Sequence, residues 1–236
     1  MESLWHFIHG GGFVMYPLLA LSLAAIVVIV ERLIAFRQFG AIPRGLLSSV
    51  IDLCRKNRLD EALHKCRGES GPLAACLATV LEHRSQPTRE VERLVEEVGQ
   101  GFFMRLERLL PVLDTTTTCA PLLGLLGTIV GMIGAFNAIA AQQHHGSNDS
   151  VLAGVGEALY ATATGLIVAV ICFAAYNYFA ARLRTITSET EQGVTRLINV
   201  LTELHHQERH HQDAGGEAES LLKEAQTGGI PKATRA

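Results

Sequence analysis

The sequence predicts an all-α membrane protein with three transmembrane helices and long cytoplasmic helical extensions. Two observations lead to this prediction. The 236 residues are 48% hydrophobic but only 18% charged, whereas an average soluble protein is about 25% charged. The apolar residues are also concentrated in three blocks that contain almost no Asp, Glu, Lys or Arg.

Each apolar block is long enough to cross a hydrocarbon layer of about 30 Å, which an α-helix spans with about 20 residues. We therefore predict transmembrane helices over residues 13–36, 115–141 and 151–181. Buried helices of soluble proteins rarely run this far without charge. The first block lacks the basic start and the small-residue cleavage site of a signal peptide, so we expect it to be retained.

The basic residues predict the orientation, because Lys and Arg stay on the cytoplasmic side of a membrane. Of the 20 basic residues, thirteen lie in 32–108 and seven in 182–235. With three spans, these two regions fall on the same side. The short N-terminal segment 1–12 and the loop 142–150 are then expected on the outer side, and the C-terminus inside.

The cytoplasmic part is predicted to be mostly helical. Apolar residues recur at helical spacing in the region 37–114, notably over 44–65 and 88–110. A helix over 182–211 is expected to continue the third span. From residue 212 to residue 236 the chain has few bulky apolar residues, which predicts a disordered tail.

Several functional classes are not supported. A net charge of -3 gives no indication of nucleic-acid binding. No nucleotide-binding, nucleophile or metalloprotease motif occurs, so we predict neither an enzyme nor a cofactor. No pair of the five cysteines has C-x-x-C spacing, which makes a metal site unexpected. Four histidines near the C-terminus are interpreted as a solvated stretch rather than as ligands: His205, His206, His210 and His211.

Small residues form a stripe on each of the last two spans. Those of the second span are spaced so that they share one helix face, and Gly165 belongs to a similar stripe on the third. The helix-packing residues that we predict are Gly124, Gly127, Gly131 and Gly165. Packing within the hairpin explains part of this pattern, but two stripes exceed what one hairpin needs. We therefore expect the chain to self-associate.

Polar residues inside the spans are few. Thr128 lies in the middle of span two, and Thr162 lies in the outer half of span three. Glu157 is the only intramembrane carboxylate candidate, and such a group suggests a functional site because burying it in lipid is costly. It lies near the outer end of its span, where a water-facing or helix-capping role is the alternative.

The motifs APLLGLLGTIVGMI at 120–133 and GEALYATATGLIVAVICFAAYNYF at 156–179 resemble the ExbB/TolQ/MotA proton-channel family. The tripeptide ERL at 31–33 and the three-span layout extend this resemblance. The layout is closest to ExbB, with TolQ also similar, since MotA has four spans. The chain departs from many ExbB relatives in its very short N-terminus.

The resemblance implies a homopentameric ring in the bacterial inner membrane, surrounded by membrane lipid, with a periplasmic N-terminus. Inside the ring is a dimer of a single-span partner of the ExbD or TolR type, whose membrane aspartate carries the proton. The assembly energises a TonB- or TolA-like protein that acts on the outer membrane. A motility stator subunit and a non-conducting membrane scaffold are the alternative functions.

The resemblance also assigns residues. Thr128 and Thr162 match the family's pore-lining threonines, Glu157 its span-three glutamate, and Pro121 its span-two proline. At 100° per residue, Glu157 and Thr162 point about 140° apart. We therefore expect Thr128 and Thr162 to line the central pore, and Glu157 to face a neighbouring helix or the outer mouth.

Overall fold

The computed structural model describes residues 13–40, 43, 45–141 and 148–227. Within these ranges the chain forms helices and no strand. The helices are α1 Met15–Phe39, α2 Leu46–Arg55, α3 Leu59–Arg67, α4 Pro72–Glu82, α5 Thr88–Glu107, α6 Leu110–Ala141 and α7 Asn148–Thr227. The all-α class is confirmed.

Three helical stretches are long and apolar enough to cross a membrane by length and composition: Met15–Phe39, Thr88–Asn137 and Gly154–Leu204. Large apolar side chains are exposed along α1, α6 and α7, for example Leu23 and Val170. Apolar faces of this extent are typical of surfaces that contact lipid or another protein. The prediction of three apolar helices of spanning length is confirmed.

The helix bounds differ from the predicted ones. Helix α6 begins at Leu110, five residues before the predicted span, and α7 continues the third span through the expected helix 182–211 and on to Thr227. The predicted disordered tail is therefore helical as far as Thr227. Residues 217–226 are mostly Ala, Glu, Leu, Lys and Gln, which favour a helix and extend one that is already nucleated.

The remaining predicted segments fall largely outside the described residues. This applies to the N-terminal segment 1–12, to 142–147 of the predicted outer loop, and to 228–236 of the predicted tail. The last three residues of the predicted loop, 148–150, are the first turn of α7.

The chain divides into two compact units, and the division falls within α5 and within α7. Unit 1 comprises Met1–Ala41 and Gln100–Ser188, and unit 2 comprises Ile42–Gly99 and Glu189–Ala236. Unit 1 therefore contains α1, α6 and the first half of α7.

Unit 1 is held together by packing of α1 against α6 and α7. Met15 and Leu18, in the first turn of α1, are fully buried. Near the other end of α1, the ring of Phe36 lies 5.2 Å from the ring of Phe179 on α7. This contact is within the range in which aromatic pairs attract beyond simple burial.

Unit 2 is a small helical core of its own. Helices α2, α3 and α4 bury their apolar faces against the first part of α5 and against residues 194–204 of α7. Gly193 of α7 permits the close approach of α4, because a Cβ atom there would lie 2.7 Å from Leu73 Cδ1. The largest fully buried side chains of this core are Val50, Leu77, Val80, Leu81 and Leu197.

Two features of unit 2 differ from the sequence interpretation. The helical spacing over 44–65 belongs to two helices, because Asn57 adopts a φ of 57° between α2 and α3. Asparagine tolerates this left-handed conformation better than most residues. Helix α4 was not predicted. It starts with Pro72 in its first turn, a position at which the missing N–H of proline has no helical partner to lose.

Candidate functional site in the transmembrane hairpin

The site is built on a close approach of α6 and α7 through small residues. A Cβ atom on Gly127 would lie 2.5 Å from the Cβ of Ala161, and one on Gly131 would lie 2.9 Å from the Cβ of Ala158. Real Cβ atoms do not approach this closely, so glycine is required at both positions. We call this contact the hairpin seam.

The stripe of α7 supplies the other side of the same seam. A Cβ atom on Gly165 would lie 2.5 Å from the carbonyl oxygen of Ala120 and 3.2 Å from the Cα of Gly124. One on Gly154 would lie 3.1 Å from the Cβ of Ala135. The seam therefore extends from Ala120 to Ala135 on α6.

This geometry corrects one step of the sequence interpretation. The two stripes were expected to exceed the needs of one hairpin, but they pack against each other. All four predicted packing residues lie in the seam: Gly124, Gly127, Gly131 and Gly165. Gly134 differs, because a Cβ atom there would meet nothing within 4 Å. The stripes thus give no indication of self-association, which has to be argued from other features.

Thr162 lies at the edge of the seam and bonds across it. Its hydroxyl donates to the carbonyl oxygen of Gly124 at 2.9 Å, and a longer contact of 3.4 Å reaches the carbonyl oxygen of Ala158 on its own helix. The side chain is half-buried. Because Gly124 carries no side chain, nothing separates the Thr162 hydroxyl from this carbonyl.

Thr128 lies on the neighbouring edge of α6. Its hydroxyl donates to the carbonyl oxygen of Leu125 at 2.7 Å. At 100° per residue, Thr128 is about 60° from the mean direction of the seam residues of α6. The two threonine hydroxyls thus bond different helices. That of Thr162 on α7 bonds α6, whereas that of Thr128 on α6 bonds its own helix.

Pro121 lies within α6. It has no N–H to donate to the carbonyl oxygen of Thr117, and an interior proline bends or breaks a helix in water. Membrane helices tolerate it, because nearby hydroxyls and neighbouring helices satisfy the freed groups. About 20° separates Pro121 from Thr128 on the helical wheel, so both are on one edge of the seam.

The four threonines at 115–118 make side-chain hydrogen bonds within α6. Their hydroxyls donate to carbonyl oxygens of the preceding turn of α6, at 2.8 to 3.0 Å. Thr116 is also fully buried. Hydroxyls that bond back into their own helix can enter an apolar environment without unpaired donors. Each hydroxyl of this run therefore has an acceptor within α6.

Glu157 lies within α7, but its side chain is outside the part of the chain that the structure describes. Its expected position near a neighbouring helix or the outer mouth stays a prediction. In the described residues, no group of three or more His, Cys, Asp and Glu side chains is arranged to hold a metal ion.

The model of the MotA/TolQ/ExbB proton channel family matches residues 68–192, which include the hairpin seam and both threonines. The chain belongs to this family. As a family member with three apolar helices of spanning length, it is a multi-pass membrane protein.

Individual relatives are similar over different lengths. The ExbB-like 3 biopolymer transport protein of Synechocystis is 31% identical over 170 residues, which is 72% of this chain and 81% of that protein. The biopolymer transport protein ExbB of Pseudomonas putida is 34% identical over 188 residues, 73% of this chain but 55% of that protein. The Tol-Pal system protein TolQ of Pseudomonas aeruginosa is 35% identical over 106 residues, 42% of this chain and 46% of that protein.

Proposed function

We propose that this chain is the ring subunit of a proton-driven motor in the bacterial inner membrane. Five copies surround a single-span partner of the ExbD or TolR type, and the assembly energises a TonB- or TolA-like protein. Membership of the MotA/TolQ/ExbB family supports this proposal. The positions of the basic residues support an N-terminus in the periplasm and a C-terminus in the cytoplasm.

The observation that carries the proposal is the fixed direction of the Thr162 hydroxyl. Its hydrogen is directed to the carbonyl oxygen of Gly124, so its lone pairs remain as acceptors. A protonated carboxyl group can donate to these lone pairs, whereas a carboxylate cannot. Thr162 therefore favours a neutral, proton-carrying acid beside it.

The titrating group itself comes from the partner in this proposal. The predicted spans two and three contain no Asp, and Glu157 is their only carboxylate. A proton relay across a membrane requires groups that ionise. Thr128 and Thr162 line the path on this chain, and Glu157 holds a neighbouring subunit or guides proton entry at the outer mouth.

The test is proton flux into lipid vesicles that contain the purified chain with and without the co-expressed ExbD- or TolR-like protein. A pH-sensitive dye inside the vesicles reports flux under an imposed gradient. We expect flux only when both proteins are present, and native mass spectrometry should show five copies of this chain around the partner. A stable complex that carries no flux would instead indicate a scaffold. Retention of a motility protein as the partner would indicate a stator.

A further inference from the structure

Arg32 of α1 is buried beside the point where helix α5 ends and helix α6 follows. Its side chain is only 3% exposed. Its Nη1 atom donates to the carbonyl oxygens of Arg105 at 2.8 Å and of Leu106 at 2.9 Å. Both acceptors belong to the last turn of α5, more than 70 positions away in sequence.

These two carbonyls lose their helical partners because α5 ends at Glu107. The last four carbonyls of a helix have no N–H partner within it. Pro111, one residue after the start of α6, has no N–H and excludes a continuous hydrogen-bond ladder through this point. The N–H of Arg108 donates to the carbonyl oxygen of Met104. The guanidinium of Arg32 donates to the next two carbonyl oxygens, those of Arg105 and Leu106.

The charge of Arg32 suits this position. A cation at the C-terminal end of a helix is stabilised by the helix dipole. The other side of the guanidinium donates from Nε and Nη2 to the carboxylate of Glu31, which is half-exposed. The buried charge is thereby paired, and four of its five N–H donors are directed at fixed acceptors, which the planar guanidinium of arginine allows.

We propose that Arg32 is a positioning residue that caps α5 and fixes the point at which α6 begins. Helix α6 carries the seam glycines and Thr128, so its start determines their depth and rotation relative to α1. Without the cap, the buried carbonyl of Leu106 would have no donor, the carbonyl of Arg105 would lose its bond to Arg32, and the break between α5 and α6 would open locally. The role in transport rests on the proposed function, whereas the cap itself does not.

The cap is tested by hydrogen exchange of the full-length chain in lipid nanodiscs. Arg32→Met removes the donors but keeps an unbranched side chain, Arg32→Lys restores a cation, and Arg37→Met changes an exposed arginine of the same helix. We expect the amides of residues 107–113, apart from Pro111, to exchange at least tenfold faster in Arg32→Met, with partial recovery in Arg32→Lys and no change in Arg37→Met. The amides of α4 should keep their protection in every variant.

Unchanged exchange at 107–113 in folded Arg32→Met, or an equal increase throughout the chain, would overturn the cap. If Arg32→Met does not assemble, Arg32→Gln replaces it, because glutamine can serve one of the two carbonyls. Because one carbonyl keeps a donor in Arg32→Gln, we expect a smaller increase in exchange than complete loss of the cap would give, and exchange at 107–113 no faster than in Arg37→Met would count against the cap.

The positioning role is tested by proton flux in vesicles that also contain the partner. We expect at least a tenfold loss in Arg32→Met and a partial return in Arg32→Lys. A loosened break with wild-type flux would overturn this role. If the wild-type complex itself carries no flux, the proposed function fails, while the exchange pattern still decides whether Arg32 is the cap.

Discussion

The hydroxyl of Thr162 donates a hydrogen bond to the carbonyl oxygen of Gly124 across the hairpin seam, at 2.9 Å. This bond depends on glycine, because a Cβ atom at position 124 would lie 3.0 Å from the Cα of Thr162. The Thr162 side chain, which we propose lines the pore, is thus held in one direction by the backbone of the neighbouring helix.

The Thr162 hydroxyl can be removed with little change in volume. We expect Thr162→Val to abolish proton flux in vesicles with the partner, and Thr162→Ser to keep most of it. The stability loss should be small, about 0.6 kcal/mol, which is typical of hydrogen bonds between membrane helices. Thr164→Val is the matched control, since the Thr164 hydroxyl donates to the carbonyl oxygen of Tyr160 on its own helix, at 2.8 Å. Flux in Thr162→Val equal to that in the control would contradict the assigned role.

Gly165 is one of the two tightest positions of the seam, and there the nearest atom belongs to the backbone. We expect Gly165→Ala to destabilise the hairpin by at least about 1–3 kcal/mol, as overpacking does elsewhere, because the new Cβ atom would lie 2.5 Å from the backbone oxygen of Ala120. Gly134→Ala is the control, since nothing lies within 4 Å of a Cβ atom there. Thermal unfolding in detergent gives the midpoint temperature of each variant, and equal midpoints would contradict the close contact at Gly165.

The buried thiols of unit 2 predict a loss of stability at high pH. Burial raises the pKa of the Cys66 and Cys76 thiols from 9.0 to about 11. Between these values the unfolded chain has released the proton and the folded chain has kept it, so the free energy of unfolding falls as pH rises from 9 to 11. The slope cannot exceed about 1.4 kcal/mol per pH unit for each thiol.

This pH dependence is measured by denaturant unfolding of the full chain, followed by circular dichroism from pH 8 to pH 11. The variant with both Cys66→Ala and Cys76→Ala is the control, and its free energy of unfolding should fall less steeply. Equal slopes in the two proteins would mean that the buried thiols do not contribute.

Asn57 separates α2 from α3 with a φ of 57°. We expect Asn57→Val to lower the free energy of unfolding by about 1–3 kcal/mol, because a β-branched residue is strained in the left-handed region. Asn57→Gly should be neutral or slightly stabilising, since glycine adopts this conformation freely. Denaturant unfolding distinguishes the two, and a valine variant as stable as the glycine variant would contradict the strain.

The apolar helices could be predicted from sequence because their cause is local. A run of about 20 uncharged residues satisfies the length of a bilayer whatever it packs against. The breaks between the helices of unit 2 are harder to predict from the sequence. Helical spacing continues on both sides of Asn57, and only its backbone conformation ends α2 before α3 begins. Helix α4 was not predicted because the Gly and Pro residues of segment 68–72 indicate a break between helices, although Pro72 also suits the first turn of a new one.

The pairing of the small-residue stripes could not be predicted, for a physical reason. Glycine and alanine permit close approach but do not specify which surface approaches them, so a stripe fits a partner helix in the same chain or in another copy. Long-range polar contacts show the same limit. Nothing near Arg32 in the sequence indicates that its acceptors are the carbonyls of Arg105 and Leu106.

A seam made of backbone and Cβ atoms has a thermodynamic consequence. Gly and Ala have no side-chain rotamers to restrict, so α6 and α7 associate without the rotamer entropy that larger interfacial residues lose. The pair should therefore stay aligned as temperature rises, until the surrounding unit melts. The seam positions also accept a narrow choice of residues, mainly Gly, Ala and Ser, whereas exposed positions such as Leu122 and Ile133 can interchange freely among large apolar residues.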